Sequence, residues 1–103
     1  MAYRLRFHEL AWAEWQKLDG SIKTPLKKKL LERLEQPRVP SAVLSGMANC
    51  YKIKLRQAGY RLIYRVDVDV VTVSVIAVGK RDKLREGHAA YTGSRWRLMP
   101  AST

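Results

Sequence analysis

The hydrophobic and polar positions of this chain change period three times. Residues 3–7, Tyr-Arg-Leu-Arg-Phe, alternate and predict a short strand. From His8 to Leu18 the spacing turns helical, with Ala11, Trp12, Trp15 and Leu18 on one stripe. Asp19-Gly20 breaks that helix. A second helix, capped by Ser21 or Thr24, is predicted to run to about Gln36 and to bury Ile22, Leu26, Leu30 and Leu34. Pro25 is tolerable there only in the first turn, where backbone N–H groups lack intrahelical partners anyway. Pro37 and Pro40 stop the helix and open a loop through Leu44-Ser45-Gly46-Met47.

Period two then returns. Tyr51-Lys52-Ile53-Lys54-Leu55-Arg56 and Tyr60-Arg61-Leu62-Ile63-Tyr64-Arg65 both alternate, and Gln57-Ala58-Gly59 between them is a plausible tight connection. The first run puts Lys52, Lys54 and Arg56 on one face and Tyr51, Ile53 and Leu55 on the other; the second adds Arg61 to the basic face. Val66 starts another stretch, and the β-branched run from Val70 to Val78 predicts a central strand buried on both faces, ending at Gly79-Lys80-Arg81. The order β-α-α-β-β-β implies an α+β layer structure whose helices cover one sheet face and leave the basic face open. Strand order is not encoded in the pattern. From about Thr92 to Thr103 no periodicity is clear, so residues 1–91 are expected to form the domain and 92–103 an irregular, frayed tail carrying an exposed Trp96.

Charge narrows the partner. Among 103 residues, Lys plus Arg number 20 against 9 Asp plus Glu, a formal net charge of +11, while 47% of residues are hydrophobic. That is too apolar for a disordered basic tail and fits a folded basic domain. A cationic sheet face repels itself, so it is better explained by a polyanion than by stability; nucleic acid is the first candidate and an acidic protein the second. No apolar run has the length of a membrane span or the build of a signal peptide, so no membrane partner and a cytoplasmic location are expected. One cysteine, Cys50, allows neither an internal disulfide nor a cysteine metal cluster.

Catalytic parts are sparse. His8 falls at the start of the first helix, where a structural role is expected, and His88 is a weak candidate acid or base. The carboxylates lie mostly on the helices, and no spacing suggests a carboxylate dyad, a metal site or a cofactor. A nuclease built from these residues would work without metal. RNA allows this, because its own 2′-OH can attack the adjacent phosphate to give a 2′,3′-cyclic product. Lysine at its reference pKa of ~10.4 is neutral in only about one molecule in 2,500 at pH 7, but crowding by other cations lowers that pKa. The residues alone leave two readings open, a phosphate-binding face without chemistry and a cutting one.

Three motifs, Tyr51-Lys52-Ile53-Lys54-Leu55-Arg56, Gly59-Tyr60-Arg61-Leu62-Ile63-Tyr64 and Val78-Gly79-Lys80-Arg81, closely resemble the RelE toxins of bacterial toxin–antitoxin pairs. Met1-Ala2-Tyr3 and Leu26-Lys27-Lys28-Lys29-Leu30 match the same branch, and the resemblance covers roughly residues 1–86. It implies a small α+β domain with a twisted antiparallel sheet. It also implies a metal-independent endoribonuclease that cuts messenger RNA in the ribosomal A site. The residues matching the family's catalytic set are Lys52, Lys54, Arg61 and Arg81. Lys54 would be the general base. Lys52 and Arg61 would hold and neutralise the phosphate, and Arg81 would stabilise the leaving oxygen or supply its proton. Lys27, Lys28, Lys29, Arg56, Arg65 and Lys80 would grip RNA, the helix-two lysines ribosomal RNA. The implied partners are the ribosome with its message and a RelB-like antitoxin with an acidic segment, the pair binding operator DNA through the antitoxin.

The departure is C-terminal. RelE toxins carry a catalytic tyrosine soon after the last arginine; here Gly87 stands at that position and Tyr91 follows four residues on, about 6 Å along a helix. A looped-out insertion would return Tyr91 to the family tyrosine's place. Competing readings are a weakened toxin that binds ribosome or antitoxin without cutting, and a gyrase-inhibiting ParE-type toxin, against which Lys52, Lys54 and Arg61 together argue.

Overall fold

The computed structural model describes residues 2–80 and 96–99. Strand β1 (Arg4–His8) leads directly into helix α1 (Glu9–Lys17). His8 is the hinge: its backbone is extended and its side chain accepts a hydrogen bond from the Leu10 amide, 3.2 Å. Ala11 and Trp15 are buried on α1, and Phe7 meets Trp12 and Trp15, each with ring centroids 5.3 Å apart.

Helix α2 (Gly20–Glu35) starts earlier than the sequence pattern suggests. Asp19 caps it, its carboxylate accepting from the Ser21 amide at 3.0 Å and from the Ser21 hydroxyl. The cap carries the helix through Gly20, and Pro25 therefore sits beyond the first turn. Its missing N–H forfeits a bond to the carbonyl of Ser21, an exposed residue where water can take over. Leu26, Leu30 and Leu34 are almost wholly buried, as their spacing predicts; Ile22 is only partly so.

After a 3-10 turn (Pro40–Ala42), strands β2 (Cys50–Leu55), β3 (Tyr60–Asp67) and β4 (Thr72–Lys80) follow, with a second 3-10 turn (Val68–Val70) before β4. The β2–β3 connection closes on Gly59 at φ +71°, a left-handed position that glycine adopts without steric cost, with its amide bonded to the Arg56 carbonyl. Val66 belongs to β3, and Val70 and Val71 belong to the turn, so β4 begins at Thr72; seven of its nine residues are buried, the central strand expected.

The sheet order is β2-β3-β4-β1-β5, where β5 is Trp96–Met99. Two features correct the sequence reading. First, β1 pairs parallel with β4, so the sheet is mixed rather than wholly antiparallel. The helical hairpin returns the chain to its starting end and sends β2 off parallel to β1; two reversals then make β4 parallel to both. Second, the stretch read as an irregular tail contains β5, antiparallel to β1. Four residues are too few for a period to show, and the strand depends on a partner more than eighty residues away.

The helices cover the sheet face that carries Phe7, Tyr51, Ile53, Leu62, Tyr64, Val73 and Val75. Burying each large apolar side chain there contributes about 1.5–3 kcal/mol. The opposite face is not bare. Leu44 and the loop residue Met47 pack on Cys50, Ile63, Ile76 and Ala77, a second small core that closes one end of that face.

Candidate active site

The β2–β3 register builds the site. Lys52 lies opposite Ile63 and Lys54 opposite Arg61, all on the face away from the helices. The Cys50 carbonyl accepts from the Leu44 amide, 2.9 Å, and the Lys52 carbonyl from Arg33, 3.3 Å, so these residues turn their backbone outward from the sheet. Lys54, two further on, has the same orientation, which makes Lys54–Arg61 a non-hydrogen-bonded pair, the kind with the closer side chains. Like charges directly opposite are destabilising. Arg61 is also partly buried, and its Nε is enclosed without an acceptor among the described residues. An enclosed donor of this kind costs free energy unless an acceptor reaches it.

One partner of the site was not visible in the sequence. Arg33, on α2, reaches the edge strand: its guanidinium donates to the Lys52 carbonyl and to the Tyr64 hydroxyl, 2.9 Å, and lies 5.8 Å from the Tyr64 ring centroid. Tyr64 in turn donates to the Pro37 carbonyl, 2.6 Å, and stacks on Tyr51 at 5.6 Å. Burial raises the Tyr64 hydroxyl pKa above its ordinary value, with Arg33 working against the rise. The signal available in sequence was a lone arginine on an otherwise ordinary helix face.

The expected RNA-binding residues divide. Lys29, Lys54 and Arg56 line two adjoining grooves between α2 and the outer edge of β2, of about 290 and 450 Å³. Lys52 lines the first. Lys27 and Lys28 line neither. Arg65 shares the face of Arg61 but lies beyond Ile63, where its Nε pairs with Asp67 at 3.2 Å. Asp67 also takes Arg6 at 3.4 Å and the Ser74 hydroxyl at 3.1 Å, so this end of the face is a cross-linked polar patch. Beside it the buried Cys50 thiol has its pKa raised by desolvation, partly offset by Arg65. Lys80 lies opposite Tyr60, one register step from the Arg61–Gly79 pair, and so points to the other face. Arg81, Tyr91 and His88 lie outside the described residues. Among the described residues no three His, Cys, Asp or Glu side chains come together to hold a metal ion, and no helix is long and apolar enough to cross a membrane.

The fold and site together define a small basic α+β protein, with a two-helix layer on a mixed sheet and lysines and an arginine massed on the first hairpin. Residues 5–85 match the family model of the ParE toxin of type II toxin–antitoxin systems, parDE, and the chain belongs to that family. It is 54% identical over 83 residues to the mRNA interferase toxin RelE of Escherichia coli K12, covering 81% of this chain and 87% of that one. The isolated E. coli RelE toxin matches the structure with a TM-score of 0.76 at 49% identity, over 86% of this chain and 93% of that one. A chain of the intact E. coli RelBE toxin–antitoxin complex gives the same TM-score at 54% identity, over 77% and 96%. The RelE resemblance read from the three motifs therefore holds.

Proposed function

We propose that this chain is the toxin of a type II toxin–antitoxin pair and cuts messenger RNA in the ribosomal A site, without metal, leaving a 2′,3′-cyclic phosphate. The observation that carries the reading is Arg61, held opposite Lys54 with an enclosed Nε and no acceptor among the described residues. A non-bridging phosphate oxygen supplies that acceptor and relieves the repulsion between the two cations. Lys54, in the neutral form that the neighbouring cations favour, takes the proton of the 2′-OH as the oxygen bonds to phosphorus, and becomes the ammonium. Lys52 and Arg61 neutralise the charge that builds on the equatorial oxygens. The bond from phosphorus to the 5′-oxygen breaks, and Arg81 stabilises that leaving oxygen or supplies its proton. Tyr91 takes the role of the family tyrosine if the residues around Gly87 loop out. Arg56 and Lys29 hold flanking RNA. The toxin acts in the cytoplasm. Its regulator is a RelB-like antitoxin with an acidic segment, as the E. coli RelBE complex suggests.

Primer extension on a message translated in vitro tests this. Arg61→Ala should lose about 10²-fold or more in cleavage, since removing one preorganised charge costs on the order of 3 kcal/mol in the transition state. Its circular dichroism should stay unchanged. Full-rate cutting by Arg61→Ala would reject the catalytic assignment and leave a face that only binds. Cleavage should also survive EDTA on ribosomes kept intact; loss with EDTA and return with a divalent ion would show that the chemistry is different.

A further inference from the structure

Resting on that reading, we propose that the trough between α2 and the outer edge of β2 is a second RNA subsite, which holds the message strand beyond the cut phosphate, with Lys29 as its principal contact. The two grooves share Lys29, Lys54 and Arg56, so they adjoin along that line and together form the trough. Lys54 stands at its lip: it is opposite Arg61 on the face away from the helices and lines both grooves. An RNA strand whose phosphate is held by Lys54 and Arg61 therefore has a cationic path over the sheet edge.

The lining chemistry fits a nucleotide chain. Five cations, Lys29, Arg33, Lys52, Lys54 and Arg56, face one carboxylate, Glu32. Among the described residues the far groove is lined by no acidic side chain, and it offers Pro25, Leu55 and Ala58 as an apolar wall for a sugar or base. An acidic peptide is the other polyanion to weigh. A peptide adds to a sheet edge through main-chain hydrogen bonds. Here the edge carbonyls of Cys50 and Lys52 are already taken by Leu44 and Arg33. Phosphates need only the side-chain cations, so the trough favours RNA. The structure also separates the three helix-two lysines, which sequence treats alike: Lys29 faces the trough, and Lys27 and Lys28 do not line it.

The test uses fluorescence anisotropy with single-stranded RNA carrying a 2′-deoxy sugar at the cut position. One strand is short, ending beside that position; two others extend a few nucleotides to either side. Wild type should bind one extended strand more tightly than the short one, and Lys29→Ala should lose that gain. Lys17→Ala, which removes an exposed charge on α1, should keep it. Each phosphate contact on a single strand contributes a log–log salt slope of about 0.7, so over a fourfold salt range Lys29→Ala should show roughly 2.6-fold less weakening on the extended strand than wild type. Equal loss on short and extended strands would reduce Lys29 to a general field effect and overturn the proposal. A Lys29→Ala defect confined to message-free ribosomes, or to antitoxin, would assign the trough to that partner and overturn it too. Wild-type cleavage of ribosome-bound message, followed in parallel, reports separately on the nuclease reading.

Discussion

At the scale of single residues, the fold accepts costs on one face and recovers them on the other. Lys54 opposite Arg61 is an unfavourable cross-strand pair, and the enclosed Arg61 Nε adds to it. Four residues further along β3, Arg65 avoids that cost by pairing with Asp67. The same strand thus holds one arginine paired with a carboxylate and one whose enclosed Nε has no acceptor among the described residues. Across the sheet, Tyr64 links Arg33, Pro37 and, through Arg33, the Lys52 backbone. Tyr64 is fully buried, so Tyr64→Phe leaves the Pro37 carbonyl with the Val39 amide, 3.2 Å, as its remaining donor and Arg33 with one acceptor fewer. Such a loss costs about 1–3 kcal/mol. Urea denaturation should show a midpoint lowered accordingly with an unchanged slope; a loss too small to measure would mean that water replaces the hydroxyl. The alternation of residues 51–56 and 60–65 made the Lys54–Arg61 pair legible, because a short hairpin has few registers. Arg33 was not legible, since its role exists only once α2 lies along the edge of β2.

At the scale of elements, local signals succeeded where one segment decides the outcome and failed where a distant one does. Leu26, Leu30 and Leu34 bury as their spacing requires, and the β-branched run of β4 is central. The start of α2 was misplaced because Asp19-Gly20 reads as a breaker in isolation, whereas Asp19 is the cap. Hydrogen bonding from the Ser21 hydroxyl, then from its amide, holds the Asp19 carboxyl below its ordinary pKa. With the folded pKa below the unfolded one, the cap's contribution is present at neutral pH and is lost as pH falls through the folded value. Asp19→Ala should therefore be less stable than wild type at neutral pH, with the difference closing in acid. Asp19→Asn keeps an acceptor without the titration. Urea midpoints followed from about pH 7 down to about pH 3 would check both. An Asp19→Ala deficit constant across that range would show that the carboxylate's charge plays no part. The parallel β1–β4 pairing and β5 escaped the sequence reading for a different reason: each joins segments far apart in the chain, and neither leaves a local mark.

At the scale of the molecule, the charge of +11 is the property most legible from composition, and the fold gives it a direction. The helices take one face of the sheet, and Lys52, Lys54, Arg56 and Arg61 of the first hairpin gather at the Lys54–Arg61 end of the other and along the β2 edge. A domain with such a field attracts polyanions before any contact forms, and an inhibitory protein partner gains from using the same field. The cognate antitoxin is therefore expected to associate by electrostatic steering. The Debye length shrinks from about 30 Å at 0.01 M salt to about 10 Å at 0.1 M, so the association rate should fall by roughly tenfold or more over that range. The dissociation rate should change much less, because it reports short-range contacts that salt screens poorly. Stopped-flow mixing of separately purified toxin and antitoxin separates the two rates. An association rate indifferent to salt would mean that the antitoxin recognises an apolar surface, and that the cationic hairpin is reserved for RNA alone.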